Sequence, residues 1–153
     1  MYGIHQGNYK DAAYFQGERI MVVDDSETSL EMLDLILKDF GLAPDIFING
    51  GQALKQFFRK NEFYYHFILI DINMYGVDGY ETIKQIRSCT RKDGKSIPIF
   101  VMTAELMDTD SKMFEEYGIN GHIDKPVNFH ILYQKIKEEF ERKKNEVKKT
   151  WNF

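Results

Sequence analysis

The chain has 153 residues, 43% of them hydrophobic and 29% charged, with a net charge of -4 and a pI near 5.6. That composition predicts one domain of ordinary size with a real core; it excludes wholesale disorder and gives no support for direct nucleic-acid binding. Cys89 is the single cysteine, so no internal disulfide framework exists and a reducing compartment is expected. No apolar stretch approaches a membrane span, and the first residues lack the basic-then-apolar pattern of a secretory signal. A cytoplasmic location is expected, with no membrane contact by this segment.

Residues 1–18 are rich in Tyr, Gly, Gln and Asn without any period, and predict an N-terminal extension outside the core. The stretch Asp11-Ala12-Ala13-Tyr14-Phe15-Gln16-Gly17 is read either as a linker of recombinant origin, from its likeness to a protease site, or as a native linker. From Arg19 a strand–helix alternation begins. Arg19 to Val23 predicts the first strand. A helix capped by Ser26 follows, with Leu30, Leu33, Ile36, Leu37 and Phe40 at helical spacing and Gly41 as its stop. Ala43 to Ile48 predicts the second strand, and Asn49-Gly50-Gly51 opens a helix with Leu54, Phe57 and Phe58 inward.

Phe67-Ile68-Leu69-Ile70 is an unbroken apolar run, as a strand covered on both faces needs. A loop from Asn73 to Gly79 leads to a helix carrying Ile83 and Ile86. Ile97 to Met102 predicts the fourth strand. The fourth helix begins near Asp108, with Met113, Phe114 and Tyr117, and Gly118 ends it. Gly121 to Ile123 is the fifth strand. The fifth helix follows Pro126 with Phe129, Leu132, Tyr133, Ile136 and Phe140. Five βα units in a row imply an α/β fold, a parallel sheet with helices on both faces. Residues 19–140 are taken as the domain. Residues 141–153 lose the apolar stripe and form either an exposed continuation of the fifth helix or a charged tail, predicted not to join the core.

The chemistry-bearing residues stand at the ends of the predicted strands: Asp24-Asp25, Asp71, Thr103-Ala104 and Lys125-Pro126. In an open parallel sheet ligands bind at the carboxyl ends of the strands. Carboxylates, a hydroxyl and an ammonium gathered there suit a divalent metal and a phosphoryl group. Singly, each has a plainer reading: Asp-Asp after a strand is often a capping turn, and a lone Asp or a Lys-Pro is often only a loop. Their joint occurrence in order, each after its own strand, makes a purely structural account improbable.

From about Arg19 to Phe140 the chain resembles the receiver domain of two-component response regulators, on Asp24-Asp25, Asp71, Asp78-Gly79, Thr103-Ala104 and Lys125-Pro126. The resemblance implies a doubly wound five-stranded flavodoxin-like sheet of order 2-1-3-4-5, which sets Asp24, Asp25 and Asp71 together at the topological switch point. It implies Asp71 as a nucleophile accepting a phosphoryl group from a histidine kinase or histidine phosphotransfer protein. It implies Mg²⁺ held by Asp24, Asp25, Asp71 and the backbone carbonyl of Asn73, with Asp24 acting partly through water. Lys125 and the Thr103 hydroxyl would take phosphoryl oxygens, small Ala104 would leave the attacking face open, and the Lys125-Pro126 bond would be cis. The apparent consequence is a population shift through Thr103 and His122 onto the face of the fourth helix, fifth strand and fifth helix, which would serve a downstream output domain, a docking protein or a second copy.

Two residues depart from the commonest pattern of that family. Tyr75 replaces a proline, which touches the rigidity of its loop. His122 replaces a Tyr or Phe and is either the switch residue or merely a partly exposed strand residue; both readings stay open. His5, His66 and His130 have no ligand spacing. Asn73 and Glu105 hold the two variable positions flanking the acyl phosphate and, being polar, predict fast loss of phosphate. A phosphatase of a related fold would need an Asp where Asn73 stands. A degenerate receiver, serving only as an interaction module, would not be expected to keep the whole set. The expectation is a phosphoacceptor signalling domain and not an enzyme, either standing alone or part of a hybrid kinase or larger regulator.

Overall fold

The computed structural model describes residues 14–74 and 78–151. Five strands, β1 (Arg19–Val23), β2 (Ala43–Phe47), β3 (Phe67–Asp71), β4 (Ile99–Thr103) and β5 (Gly121–Asp124), form one parallel sheet in the order β2-β1-β3-β4-β5. The helices are α1 (Glu27–Asp39), α2 (Gly50–Arg59), α3 (Gly79–Ser88), α4 (Lys92–Ser96), α5 (Asp108–Glu116) and α6 (Phe129–Trp151). The fold class and strand order are those expected.

Alternation along the strands builds two cores. Ile20, Val22, Leu69, Met102 and Ile123 face α1 and α6. Met21, Val23, Ile68, Ile70 and Val101 face α2 and α3. The three central strands are therefore apolar on both faces, and each such fully buried side chain contributes about 1.5–3 kcal/mol. β2 lies at an edge and stays half exposed, which is why its pattern is mixed. Ser26 caps α1 by accepting the Ser29 amide at 3.2 Å, and Gly41 ends the turn after it at φ +96.

Several expectations change. Residues 1–18 are not all outside the core: Phe15 is buried, its ring edge-on to Tyr133 and Phe140, and the Gly17 amide donates to the Gly41 carbonyl at 2.8 Å. A hydrophobe isolated in a polar, aperiodic segment carries no periodic signal, so its seat could not be read. Phe58 lies on the outer side of α2, exposed, while Phe57 takes the inward position. Among the described residues there are six helices rather than five, because α4 is a single short turn with no apolar stripe. The predicted switching face is accordingly α5–β5–α6. Met113 and Phe114 on α5, and Tyr117 just after it, are only half buried, and Asp110 is the buried residue of the helix. The charged stretch after Phe140 continues α6 to Trp151, mostly exposed but tied to the domain where Lys143 Nζ donates to the Ser96 carbonyl at 2.7 Å. Tyr75 lies outside the described residues.

Two half-buried arginines close helix ends. Arg91 pairs with both oxygens of Asp93, at 3.0 and 2.9 Å, and donates to the last carbonyls of α2, Phe57 and Lys60. Arg87 donates to the Tyr117 and Gly118 carbonyls after α5 and to the Gly94 carbonyl in α4. Burial lowers its guanidinium to about 10, still charged at neutral pH.

Candidate functional site

The order of the sheet reverses between β1 and β3. Val23 stands opposite Ile70 in the ladder, so the next residues, Asp24 and Asp71, emerge side by side at the carboxyl ends. Asp25 follows from the same turn. One carboxylate oxygen from each of Asp24, Asp25 and Asp71 lies within 4.8 Å of the other two. Asp24 and Asp71 are buried and Asp25 is half exposed. The pocket thus opens to solvent on the Asp25 side.

Lys125 reaches this cluster from the loop after β5, across the Lys125-Pro126 cis bond. Its ammonium donates to Asp24 Oδ2 at 2.8 Å and to Asp71 Oδ2 at 2.9 Å. The remaining oxygens accept backbone amides: Asp24 Oδ1 from Ser26 at 2.9 Å and Asp71 Oδ1 from Asn73 at 2.8 Å. Each carboxylate is therefore fixed in orientation. Burial pushes the Asp24 carboxyl above the usual carboxylate range, against the hydrogen bonds from Lys125 and Ser26, and the neighbouring Asp71 charge adds to the rise. Burial opposes the charged form of Lys125, yet its bonds to Asp24 and Asp71 outweigh it and raise the ammonium above its ordinary value. Three carboxylates gathered beside the Lys125 ammonium favour a further cation.

Thr103 ends β4 fully buried. Its hydroxyl donates to the Glu105 carbonyl at 2.8 Å and accepts the Glu105 amide at 3.2 Å, so it is engaged with its own loop. The Asn73 side-chain amide reaches Thr103 Oγ1 at 3.4 Å, linking the loops after β3 and β4. Ala104 and Glu105 are exposed at the mouth. His122 lies on β5 opposite Val101, half exposed, with Nε2 at 3.5 Å from Asp124 Oδ1 and its ring 6.3 Å from that of Phe114 in α5. It faces α5 rather than the acidic cluster. His66 and His130 are exposed and away from the site.

Sequence reasoning missed the contacts that hold the rim. Gly79, the first residue of α3, packs on the Asp71 peptide: a Cβ there would lie 2.3 Å from the Asp71 carbonyl oxygen. Tyr80 donates to Asp110 Oδ1 at 2.5 Å, and Asp110 Oδ2 accepts the Met107 amide at 2.6 Å, fastening the start of α5 to α3. Burial and the Asp110 carboxylate both raise the Tyr80 phenol, which keeps it a donor. The Asp78-Gly79-Tyr80 sequence was visible, but nothing in it announces a partner in another helix.

A family model described as the response regulator receiver domain matches residues 20–137. Hybrid signal transduction histidine kinase I of Dictyostelium discoideum is 30% identical over 121 residues, covering 78% of this chain and 7% of that protein. The chain thus spans only a small part of such kinases. Chemotaxis protein CheY of Pseudomonas aeruginosa is 27% identical over 124 residues, covering 81% of this chain and 97% of that one. Among solved structures, the receiver domain of a Pseudomonas aeruginosa sensor histidine kinase, with a magnesium ion coordinated in its active site cleft, superposes with a TM-score of 0.68. It is 26% identical and covers 80% of this chain and 96% of its own.

Proposed function

The chain belongs to the response regulator receiver family, and from that premise we propose that it accepts a phosphoryl group on Asp71 from a histidine kinase or histidine phosphotransfer protein, with Mg²⁺ required. The observation that carries this reading is the nearly buried Asp71 carboxylate, held by the Asn73 amide and Lys125 with Asp24 and Asp25 beside it.

The donor set fits Mg²⁺: it is all oxygen, anionic, and open to water on the Asp25 side. Asp24, Asp25 and Asp71 would hold the ion, with the Asn73 carbonyl. When bound, it neutralises the carboxylates and the incoming phosphoryl charge. An Asp71 carboxylate oxygen attacks phosphorus; the new O–P bond forms as the P–N bond to the donor imidazole breaks, and that electron pair returns to the imidazole nitrogen. Lys125 passes from the carboxylates onto a phosphoryl oxygen. Thr103 must give up its bond to the Glu105 carbonyl to reach another, and that exchange moves the loop leading to α5. Because His122 stands against Phe114 of α5, it would register the movement on the α5–β5–α6 face, where an output domain, a docking protein or a second copy would bind. The chain's own chemistry is then phosphotransfer onto itself and hydrolysis of the product, not turnover of a substrate. Asn73 in place of an acid disfavours the phosphatase reading, and the complete Asp24, Asp25, Asp71, Thr103 and Lys125 set disfavours a degenerate module.

The test is labelling by a small phosphodonor such as acetyl phosphate, read by intact mass. Labelling is expected only with Mg²⁺, lost in Asp71→Asn, and shifted to much higher Mg²⁺ in Asp25→Asn. Equal labelling in excess chelator would refute the metal requirement; a labelled Asp71→Asn would refute the site.

A further inference from the structure

The opposite end of the sheet carries a second concavity. Glu18, His66 and Pro98 immediately precede β1, β3 and β4, and they line a cavity of about 730 Å³. It opens between the Tyr14–Glu18 segment, the loop from α2 to β3, and the last turns of α6. The volume lies within the roughly 300–1,000 Å³ of small-molecule pockets. Five-residue strands at about 3.3 Å per residue place it roughly 16 Å from the Asp71 end.

The lining combines an apolar body with a one-sided charge. Tyr65 and Phe140 form the apolar wall with Phe63. Lys143, Lys144 and Lys148 line it from α6, whereas its two carboxylates are already engaged. Asp93 holds Arg91 with both oxygens and accepts the Phe63 amide at 2.9 Å. Glu18 accepts the Gln16 amide. Lys144 is left over the Tyr14 ring, 4.8 Å from its centroid. Burial, the largest influence, holds the Lys143 ammonium below its ordinary value.

A further feature points to an occupant. Phe63 is the one non-glycine residue at positive φ among the described residues, at +65, and it is also 57% exposed. A bulky residue in that conformation is strained, and such strain persists only where the surroundings impose it, commonly at ligand clamps. Here the buried Asp93 imposes it, and the aromatic ring stays uncovered at the cavity.

We infer that this cavity is a binding site for an amphipathic organic anion, its apolar body between Phe63, Tyr65 and Phe140 and its carboxylate, sulfonate or phosphate at Lys144 and Lys148. The continuation of α6 past the core then has a role: it supplies the cationic wall. The site is independent of the phosphoacceptor chemistry.

The full chain is titrated with the anionic dye anilinonaphthalene sulfonate and, by calorimetry, with laurate; the neutral dye phenylnaphthylamine and vesicles of anionic phospholipid are the comparators. One saturable site is expected, with a dissociation constant on the order of tens of micromolar for the larger dye and about a millimolar for laurate, as average ligand efficiency gives for their sizes. The neutral dye should bind about tenfold more weakly or worse, since it forgoes charge-assisted hydrogen bonds. Lys144→Met combined with Lys148→Met should weaken the anions about tenfold, and Asp71→Asn should change nothing. On the unmodified chain, amide shifts on binding should centre on Phe63, His66 and Ser96. Equal affinity for the neutral dye, indifference to the lysine changes, or shifts centred elsewhere would overturn the inference. Binding to vesicles without binding of either monomeric anion would overturn it too.

Discussion

Replacing Gly79 by Ala tests how Asp71 is held. The added Cβ would lie 2.3 Å from the Asp71 carbonyl oxygen, 2.7 Å from Ile72 Cα and 3.0 Å from the Asp71 carbonyl carbon. All three are backbone atoms, so no side chain can swing aside; α3 and the end of β3 must separate by about 1 Å to reach ordinary contact. Overpacking of this kind costs about 1–3 kcal/mol, and the better helix propensity of Ala returns at most about 1 kcal/mol. Asp71 moves with its own peptide, and a displacement of about 1 Å can cost a reaction about a hundredfold in rate. The expected result is a lowered Tm together with a fall of ten- to a hundredfold in acetyl phosphate labelling at saturating Mg²⁺. Gly51→Ala is the control, because its Cβ would meet only the Asn49 side-chain oxygen, at 3.4 Å. Labelling and Tm both unchanged in Gly79→Ala would refute the packing argument, whereas a lower Tm with normal labelling would show that β3 holds Asp71 without help from α3.

Asp24→Asn should raise Tm in the absence of divalent metal. Burial holds the folded Asp24 carboxyl above 3.8, so the charged form weakens the fold at neutral pH; the gain should shrink as pH falls through that raised value towards 3.8, and a gain constant with pH would contradict it. Phe15→Ala should cost about 3–5 kcal/mol, or roughly 6–20 °C in Tm, because the ring is buried against Tyr133 and Phe140; thermal melts that coincide with the parent's would return residues 14–18 to the role of a loose extension. The phosphorylated form should lose its phosphate quickly without an added phosphatase, since exposed, polar Asn73 and Glu105 leave water a path; Asn73→Met and Glu105→Leu should each lengthen its lifetime, and a form stable for many hours that ignores both changes would place control of access elsewhere.

How much could be read from the chain follows from what leaves a local signature. Phe67 to Ile70 announces a doubly covered strand, and Asp71 directly after it announces a site, because strand order and strand ends convert sequence position into spatial position. Ser26 and Gly41 mark α1 by capping chemistry that needs no distant partner. Phe15, Arg87 and Arg91 were not legible, since each acts through a contact with another part of the fold: Phe15 against α6, Arg87 on the carbonyls after α5, Arg91 on those ending α2. The same holds for Thr103. Its position was readable, but its present bond to the Glu105 carbonyl depends on a loop whose conformation no periodicity encodes.

That engaged Thr103 bears on how a signal would leave the site. Lys125 bonded to Asp24 and Asp71, and Thr103 bonded to Glu105, each spend on protein groups a hydrogen bond that a phosphoryl oxygen would take. The shift on phosphorylation is then an exchange of partners at nearly constant bond number, and small free energies decide it. The segment placed to respond is α5, where Met113 and Phe114, and Tyr117 just after it, are only half buried. It is fastened at its start by Asp110 to Tyr80 and after its end by Arg87. Both anchors come from α3, so a displaced α5 must stretch them or carry α3 along. Because α3 begins at Gly79 against the Asp71 peptide, the same helix touches Asp71 and holds both ends of α5. Tyr80→Phe, which removes one anchor without touching the acidic cluster, should therefore enlarge the α5 amide shifts produced by BeF₃⁻ with Mg²⁺ while leaving labelling of Asp71 intact. Shifts identical to those of the parent chain would mean that α3 does not restrain the switch.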